Sequence, residues 1–561
     1  MVFINKKYPW LCLFLLIHFT VEVSAQQFTE VAESLNVIGS FGLTGRQGGG
    51  ISVVDFNQDG WDDLTIATAE GRKMLFFVNN HGESFDQIEP LVQDTGEQKQ
   101  ILWVDFDNDD DLDLFFTQHT NVNRLYENKG DLNLVDITAV AGLPLDIEGT
   151  FGAVFGDINQ DGYLDLYVSN YFSNPGRLFL NNSGHFQEIT QLLFDDDEDL
   201  NQNFCSALFD YDRDGDLDLY LINDRAFEND LFMNTGTTTP MFEEVSAATN
   251  TNIVVDAMNA GIGDINNDGL LDIYVTNSPD PGNVLLLNQP DGTFRDISSE
   301  AGVTYGSWCW GGSFSDLNND GFLDMYVTSS EPFGDQNNIY INNGDESFRE
   351  LDPIETAGDT MRSYANSVFD YNNDGLIDLV NNPLGGDVKI AVWKNESSND
   401  NNHLKIILEG SISNRNGVGS WIEVYTDDIT QYRFTHCGIS FLSQQSYNNH
   451  FGLSNFNKVD SIIVRWPSGL IDKRYNIDAG QIIKIVEDCP NCPNCESATT
   501  DVNQNPIPPG NYHQNELLST GTVETNSTVL FRVNQSAELG VGFTVQEASH
   551  LTVELRDCEE E

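Results

Sequence analysis

An acidic nine-residue pattern, D-x-[ND]-x-D-G-x-x-D, occurs seven times in this chain at nearly constant spacing. The copies begin at residues 55, 105, 157, 210, 264, 316 and 370, so successive steps are 50, 52, 53, 54, 52 and 54 residues. A fixed period of about fifty residues is typical of a repeat architecture in which each repeat is one supersecondary unit. The chain is therefore expected to contain seven similar modules, each with one acidic loop.

Each loop offers side-chain oxygens at positions 1, 3, 5 and 9, and the backbone carbonyl at position 7 can add another. Calcium accepts about 6–8 oxygen ligands in flexible geometry, whereas magnesium demands a tighter octahedron, so we predict seven calcium sites. Their expected ligands are Asp55, Asn57, Asp59 and Asp63; Asp105, Asp107, Asp109 and Asp113; Asp157, Asn159, Asp161 and Asp165; Asp210, Asp212, Asp214 and Asp218; Asp264, Asn266, Asp268 and Asp272; Asp316, Asn318, Asp320 and Asp324; and Asp370, Asn372, Asp374 and Asp378.

Position 6 of each loop has to turn sharply, and a positive φ is freely accessible only to glycine. Six loops have glycine there, but loop two has Asp110. Because Asp enters the left-handed region less easily, loop two is predicted to be strained and to bind most weakly. A cluster of Asp, Asn and Gly is also compatible with a plain polar turn. Seven copies in register favour the metal interpretation, because a turn does not require acid at positions 1, 5 and 9.

The segments that flank the loops predict the fold. EF-hands have a similar loop, but there helices flank it and a Glu closes it at position 12. Here short apolar and aromatic runs leave the loops, as at 164–169, 217–222 and 271–276, and a second strand pair around an Asn/Gly turn follows, as at 178–190. Four strands per repeat make one propeller blade. We therefore predict an all-β, seven-bladed β-propeller over residues 26–400.

The last repeat is incomplete in a way that predicts how the ring closes. After Asp378 it continues through residues 388–393 but lacks the F-x-[ED]-[IV]-[TS] strand that ends its predecessors. A matching segment lies at the N-terminus, at 28–31. Pairing this segment into the last blade would remove two exposed sheet edges at once.

The N-terminus and the charge indicate where the protein works. Residues 1–25 are typical of a signal peptide, with Lys6 and Lys7 before an apolar run at 10–21 and a small-residue cleavage site at 23–25. That run is shorter than the ~20 residues of a membrane span. We therefore predict a secreted or cell-surface protein without a membrane span. The net charge of −62 argues against nucleic acid as a partner, because phosphates require Lys and Arg.

The composition changes near residue 400, after a polar linker at 395–402. Strand-like runs follow at 403–408, 421–425, 459–466 and 481–486, which predict a small β domain over 401–487. The rest, 488–561, is expected to be a cysteine-flanked β module with strands at 528–533, 543–546 and 550–555.

The cysteines of this module have two interpretations. The C-x2-C-x2-C run at Cys489, Cys492 and Cys495 has iron–sulfur spacing. The fourth cysteine of such a run is missing, and the predicted export favours disulfides, with Cys558 able to close the module. Cys205 and Cys309 are expected to be buried thiols.

Several motifs resemble known families. The repeats resemble FG-GAP/VCBS repeats, the blades of integrin-α-like propellers. Residues 403–487 resemble the ASPIC/UnbV domain in N-R-N-G-V-G at 414–419, F-L-S-Q-Q at 441–445, H-F-G-L at 450–453 and V-R-W-P-S-G at 464–469. The order of the two parts is similar to that of the secreted cartilage acidic protein family. The resemblance implies extracellular calcium binding and adhesion to an extracellular protein or glycan ligand.

The sequence favours a protein that binds rather than one that catalyses. It contains no H-E-x-x-H, G-x-S-x-G or phosphate-binding glycine loop. The histidines are dispersed, and only His450 belongs to one of the motifs above, where a structural and a functional role are both open. We predict a non-catalytic surface or matrix binding protein. The alternative is an exported polysaccharide hydrolase or lyase on a propeller scaffold, which would need a pocket with an acid, a base and an Arg or Lys.

Overall fold

The computed structural model describes residues 27–488 with short gaps and the backbone of six strands between 499 and 555. The gaps are at 43–46, 172–174, 195–201, 226, 237–239, 331–335, 352–360, 384–388, 400 and 428. The predicted signal peptide and the cysteines at 489, 492, 495 and 558 lie outside the described residues.

Within the described residues, seven four-stranded antiparallel sheets form between residues 28 and 395. We number the sheets one to seven by their acidic loops. The first strand of each sheet is innermost, and it contacts the first strands of the two neighbouring sheets; sheet seven contacts sheet one in the same way. The sheets are therefore arranged in a closed ring, and the predicted all-β propeller is confirmed.

The strands follow one order in every sheet, from the inner strand to the outer strand. They are Ile51–Val54, Asp63–Ile66, Leu75–Asn79 and Phe85–Ile88; Gln98–Val104, Asp113–Gln118, Arg124–Asn128 and Leu134–Asp136; Thr150–Gly156, Asp165–Asn170, Arg177–Asn181 and Phe186–Glu188; Asn203–Phe209, Asp218–Asn223, Asp230–Asn234 and Phe242–Glu244; Asn259–Gly263, Asp272–Thr276, Val284–Asn288 and Phe294–Asp296; Cys309–Ser315, Asp324–Ser329, Asn338–Asn342 and Phe348–Glu350; and Ser363–Phe369, Asp378–Pro383, Ala391–Asn395 and Phe28–Glu30. Helical turns lie at Thr190–Leu192, Ser246–Thr249 and Ser298–Ala301.

Burial explains why the strands have their sequences. Inner strands such as Gln98–Val104 are buried at every position, because both faces pack between neighbouring sheets. Outer strands such as Phe186–Glu188 bury the phenylalanine and expose the two residues after it, which accounts for the F-x-[ED] pattern. Cys205 and Cys309 are buried on inner strands, as predicted.

The N-terminal strand completes sheet seven. Phe28 pairs with Asn395 and Glu30 pairs with Trp393, in antiparallel register. The Val31 amide continues the pairing by donating to the Val392 carbonyl at 2.8 Å. Ring closure by the chain's first strand, predicted from the missing repeat segment, is therefore confirmed.

A repeated asparagine that sequence analysis overlooked ties the sheets together. In sheet three, Asn181 ends the third strand, and its Nδ2 donates to the Leu164 carbonyl at 3.1 Å and to the Phe106 carbonyl of sheet two at 2.7 Å. Equivalent bonds to the preceding sheet are made by Asn79, Asn234, Asn288, Asn342 and Asn395. Apart from Asn234, each of these buried amides donates to two backbone carbonyls at a sheet junction.

The second domain is a two-sheet β sandwich. One sheet contains Asn449–Gly452, His403–Glu409 and Gln481–Val486, and the other contains Thr430–Phe434, Trp421–Tyr425, Lys458–Arg465 and Ile471–Asp478. Side chains such as Leu404, Ile422 and Phe451 form a core between them. The four strands predicted in this domain are present, and the structure adds strands that the sequence analysis did not identify.

Beyond residue 498 the described strands are Thr499–Val502, Gly510–Ser519, Thr522–Val523, Thr528–Leu539, Thr544–Val545 and His550–Leu555. Their pairings are all parallel. The three segments predicted as strands here all contain strand residues, and the structure adds Thr499–Val502, Gly510–Ser519 and Thr522–Val523 before them.

Candidate metal centres

Each acidic loop connects the inner strand of a sheet to the second strand, and position 9 is the first residue of that second strand. In loop three the loop follows Thr150–Gly156, and Asp165 begins the next strand. All seven loops therefore lie on one face of the ring. Strands flank the loops on both sides, as predicted, which separates them from EF-hands.

Two residues of every loop have positive φ. Position 6 has φ between 77° at Asp110 and 97° at Gly321, so Asp110 does occupy the left-handed turn predicted for it. Position 4 is also left-handed, with φ between 53° and 65°, although it is Gln, Asn or Arg. The left-handed conformation at position 4 was not predicted from the sequence, because no glycine marks that position.

The position 4 side chains link neighbouring loops. Asn108 Nδ2 donates to the Gly162 carbonyl of the next loop at 2.8 Å, and Asn373 Nδ2 of loop seven donates to the Gly60 carbonyl of loop one at 3.4 Å. Equivalent bonds start from Gln58, Gln160, Asn267 and Asn319. In loop four the residue is Arg213, which instead forms an ion pair with Glu423 of the second domain at 2.7 Å. The loops thus form an almost continuous hydrogen-bonded ring.

Backbone amides fix the loop carboxylates in orientation. In loop three, the Asp161 amide donates to Asp157 Oδ1 at 3.0 Å and the Gly162 amide donates to Asp157 Oδ2 at 2.8 Å. Asp165 accepts from the Ile158 amide at 2.9 Å and from the Asn181 amide at 2.7 Å. Positions 1 and 9 are therefore held in place by the fold before any cation binds.

Loops two and four bring three carboxylates together. Oxygens of Asp105, Asp107 and Asp113 lie within 4.8 Å of one another, and so do oxygens of Asp210, Asp212 and Asp218. A further group in loop two joins Asp107, Asp109 and Glu127. Glu127, on the third strand of sheet two, was missed because it lies outside the nine-residue pattern.

The other five loops have Asn at position 3, and its amide makes a different contact. Asn159 Nδ2 donates to Asp161 Oδ2 at 3.0 Å, and the same bond forms in loops one, five, six and seven. Positions 3 and 5 are therefore neighbours in every one of these loops, as the predicted ligand sets require.

The loop carboxyl groups are buried beside one another, and this raises their pKa values. At position 1, burial raises the pKa to about 6 in Asp55 and Asp210 and to about 7 in Asp105, Asp157 and Asp264. At position 9, burial raises the pKa to about 8 in Asp63 and about 9 in Asp113, and well above the usual range in Asp165, Asp218, Asp272, Asp324 and Asp378. Neighbouring loop carboxylates add to the rise, whereas amide donors reduce it. When these buried carboxyl groups are ionised, they need a cation to compensate their negative charge.

Unpartnered oxygens test whether a cation fits. Asp63 Oδ2, Asp107 Oδ1 and Asp210 Oδ1 are buried and have no hydrogen-bond partner. A buried carboxylate oxygen left without a donor is costly unless an ion compensates it. The donor set consists of carboxylate and amide oxygens, which suit a hard divalent cation. The residues present therefore fit calcium in loops one, two and four.

The second domain covers the loop face. Lys405 Nζ lies 2.5 Å from Asp370 Oδ2, and Trp421 Nε1 donates to Asp210 Oδ2 at 3.1 Å. In both loops this oxygen also accepts a hydrogen bond from the position 6 amide, and the second domain contacts Oδ2 rather than Oδ1. The covering residues thus hold position 1 from outside, as the outer partners of metal ligands commonly do.

Other contacts extend this cover around the ring. Ser446 and Asn448 donate to Asp62 of loop one at 2.8 and 3.1 Å, and Arg415 forms an ion pair with Asp110 of loop two. The Asp110 side chain therefore faces the second domain. A cavity of about 120 Å³ remains under the cover, lined by groups that include Asp264 and Arg433.

His450 has a structural role in this cover. Its Nε2 lies 2.6 Å from Oδ1 of Asn319, the position 4 residue of loop six. Burial, together with the nearby cations, lowers the pKa of His450 well below its usual value, so the ring is neutral. Burial likewise lowers the pKa of His436 to about 4. Of the two roles left open by the sequence, the structure supports the structural one.

A segment of the second domain enters the channel of the ring. Gln444 Oε1 accepts from Ser52 Oγ and from the Trp103 amide, both at 2.8 Å, and Gln444 Nε2 donates to the Trp103 carbonyl at 2.7 Å. Ser443–Gln444 also pairs in parallel with the inner strand of sheet one. The F-L-S-Q-Q motif therefore docks the domain on the propeller.

Comparisons with known proteins agree with this architecture. Five overlapping segments, 55–116, 105–168, 210–275, 264–327 and 316–380, match the FG-GAP-like repeat, and together they cover just over half of the chain. Residues 410–490 match the ASPIC and UnbV family.

Similar individual proteins are more distant. Cartilage acidic protein 1 of Homo sapiens is 28% identical over 152 residues, which cover 25% of this chain and 23% of that protein. The Xenopus tropicalis protein is 25% identical over 272 residues, covering 46% of this chain and 41% of its own length. The matches thus span less than half of these relatives.

Solved structures with similar folds include an Agrocybe aegerita lectin that recognises non-reducing terminal N-acetylglucosamine, with a TM-score of 0.37, 18% identity and coverage of 54% of this chain and 80% of the lectin. BBS1N in complex with ARL6DN gives a TM-score of 0.39 at 13% identity, covering 64% of this chain and 97% of that one. In the part of the chain that the structure describes, no helix has the length and apolar character to cross a bilayer.

Proposed function

Because the chain belongs to the FG-GAP-like repeat family and carries an ASPIC and UnbV domain, we propose that it is an exported, calcium-binding protein that attaches to an extracellular protein or glycan without catalysing a reaction. The similarity to cartilage acidic protein 1 supports a surface or matrix setting. The signal-peptide pattern at 1–25 supports export.

The observation that carries the calcium proposal is the pair of carboxylate clusters at loops two and four, in which positions 1 and 9 are buried. Asp105, Asp107 and Asp113 would hold one ion, and Asp210, Asp212 and Asp218 another. A bound cation would supply the positive charge that these groups lack, and binding only to the folded state would stabilise it. The other five loops repeat the same pattern and would hold further ions.

The position of the loops supports a structural role for calcium. The loop face is covered by the second domain, which contacts position 1 of loops four and seven through Trp421 and Lys405. A ligand of the whole protein would therefore bind elsewhere, on the sheet edges or on the other face of the ring. Calcium would hold the two domains in one rigid unit.

Thermal unfolding of the full protein in EDTA, calcium and magnesium tests the metal. We expect calcium to raise the melting temperature strongly and magnesium to raise it less. The double substitution Asp210→Asn with Asp212→Asn should weaken the calcium effect, whereas Asp460→Asn, at an exposed position of the second domain, should not. An unchanged melting curve in EDTA would overturn the proposed calcium binding.

An array of glycans and matrix proteins, probed with and without calcium, tests the binding role. We expect calcium-dependent retention on some members and no release of cleaved product. Product release from a polysaccharide would instead support the exported hydrolase or lyase.

A further inference from the structure

A pocket opens at the end of the channel opposite the metal loops. Its volume is about 370 Å³. Tyr171 directly follows the second strand of sheet three, and Phe204 lies at the start of the inner strand of sheet four. These positions are at the ends of the strands that point away from the loops. The pocket is therefore separate from the metal centres and from the face that the second domain covers.

Aromatic rings form much of the pocket lining. Tyr171 stacks on Phe204 with ring centroids 4.1 Å apart, and Trp310 meets Tyr364 edge to face at 4.7 Å. The ring of Phe441, from the inserted segment, packs against two of these rings, with its centroid 5.1 Å from that of Trp310 and 6.1 Å from that of Phe204. The second domain thus packs against the aromatic lining of the pocket.

The polar groups of the pocket include both donors and acceptors. Asp224 accepts a hydrogen bond from the Tyr171 hydroxyl, and Arg225 Nε lies 3.5 Å from Asp224 Oδ2. Asp256 lines the same wall. Gln47 also lines the pocket, and its Oε1 is buried without a hydrogen-bond partner. A buried acceptor of this kind favours a ligand that brings a hydroxyl or an N–H group.

One large aromatic side chain remains accessible at the entrance. Trp308 is 38% exposed, although it lies beside the largely buried Trp310. An exposed tryptophan beside the pocket offers a flat apolar face to an incoming molecule. The ligand expected here has one apolar face and polar groups around its edge.

We propose that this pocket binds a neutral saccharide of one or two rings, an assignment that rests on the proposed role as a binding protein. A sugar ring has C–H faces that pack on aromatic rings and hydroxyls that both donate and accept hydrogen bonds. A volume of about 370 Å³ is at the small end of the ~300–1,000 Å³ typical of ligand pockets, which limits the number of rings. The net charge of −62 disfavours sulfated or uronic sugars.

Calorimetric titration of the calcium-loaded full protein with cellobiose, maltose, lactose and N,N′-diacetylchitobiose tests the assignment. Because Trp308 and Trp310 line the pocket, binding should also change tryptophan fluorescence. We expect at least one disaccharide to bind with a dissociation constant below about 1 mM. Trp308→Ala should weaken that binding about tenfold, in line with the loss of one aromatic contact. Asp256→Asn should weaken it as well, while Tyr475→Ala, a matched exposed aromatic of the second domain, should leave it unchanged.

The outcomes separate this inference from the proposed function. The saccharide pocket would be overturned if none of the four disaccharides binds at concentrations tenfold above that dissociation constant. It would also be overturned if neither pocket substitution changes the binding. Retention on matrix proteins in the array would then still sustain a binding role. Release of monosaccharide from a bound disaccharide would support the saccharide as the ligand of the pocket. It would overturn the proposal that the protein is not a catalyst.

Discussion

The two faces of the ring differ in whether their candidate binding residues belong to the repeated sequence pattern. On the loop face, the same acidic pattern returns in all seven sheets and the second domain covers it. On the opposite face, the pocket is built from residues that the repeat does not prescribe, such as Tyr171, Trp308 and Asp256. If the loops bind calcium and the pocket binds a saccharide, as proposed, the repeated positions serve stability and the positions where the repeats diverge serve recognition.

Metal removal should show the largest difference between the two faces, because, of the described residues, only those of the loop face form candidate metal sites whose loss would lower the stability. If the loops bind calcium, each site at about 100 times its dissociation constant adds ~2.7 kcal/mol to the folded state. We expect EDTA to lower the melting temperature by a large margin, with full recovery in calcium. Differential scanning calorimetry measures this. Recovery in magnesium equal to that in calcium would contradict the assignment of the ion.

The pH dependence of the metal-free protein sharpens the same point. The pKa values of the loop carboxyls are raised, from about 6 at Asp55 to about 9 at Asp113, so the folded state binds more protons than the unfolded state. Stability should therefore fall as the pH rises from about 4 to 9, by up to ~1.4 kcal/mol per pH unit for each proton retained. Urea titrations in EDTA measure the slope. Calcium should abolish this slope, because a bound cation favours the ionised form of the loop carboxyl groups.

Docking of the second domain should depend on Gln444. Gln444→Ala removes buried hydrogen bonds and leaves the Ser52 hydroxyl and the Trp103 amide without their acceptor, whereas Tyr447 still donates to the Trp103 carbonyl. Leaving buried groups unsatisfied costs ~1–3 kcal/mol each, so we expect a loss of about 2–4 kcal/mol in the free energy of unfolding. Gln445→Ala, the adjacent residue, is the control. Equal effects of the two substitutions would refute the role of the motif.

Loop two offers a smaller test. Asp110→Gly removes left-handed strain of up to ~1 kcal/mol but also removes the exposed ion pair to Arg415, worth ~0–1 kcal/mol. We expect little net change in wild type and a clear gain in an Arg415→Ala background. A loss of stability in both backgrounds would mean that the Asp110 carboxylate binds metal.

The opposite face should contribute least to stability. Trp308→Ala at a partly exposed position is expected to change the free energy of unfolding by less than ~0.5 kcal/mol and to leave the calcium effect intact. Chemical denaturation with and without calcium measures both. A large loss would make Trp308 part of the core rather than of a binding pocket.

The fold was predictable because its signals are local and repeated. The fifty-residue period predicted the propeller, and the segment at 28–31 predicted ring closure. The cover on the loops was not predicted, because contacts such as Gln444 with Trp103 join residues that are 341 apart and no period marks them. Glu127 was missed for a related reason, since its proximity to Asp107 depends on the register between strands. The predicted calcium sites and their ligands stay a prediction.

Closure of the ring by its first strand has a consequence for the order of folding. The Gln27 amide donates to Ser397 Oγ, 370 residues further along the chain, so this junction cannot form until nearly the whole propeller has been synthesised. Contacts this distant in sequence slow folding, because the loop must close before the contact is gained. Until then both ends of the incomplete ring expose sheet edges, and such species are prone to aggregate. A cell that makes this protein must therefore protect a long, unfinished chain until its two ends meet.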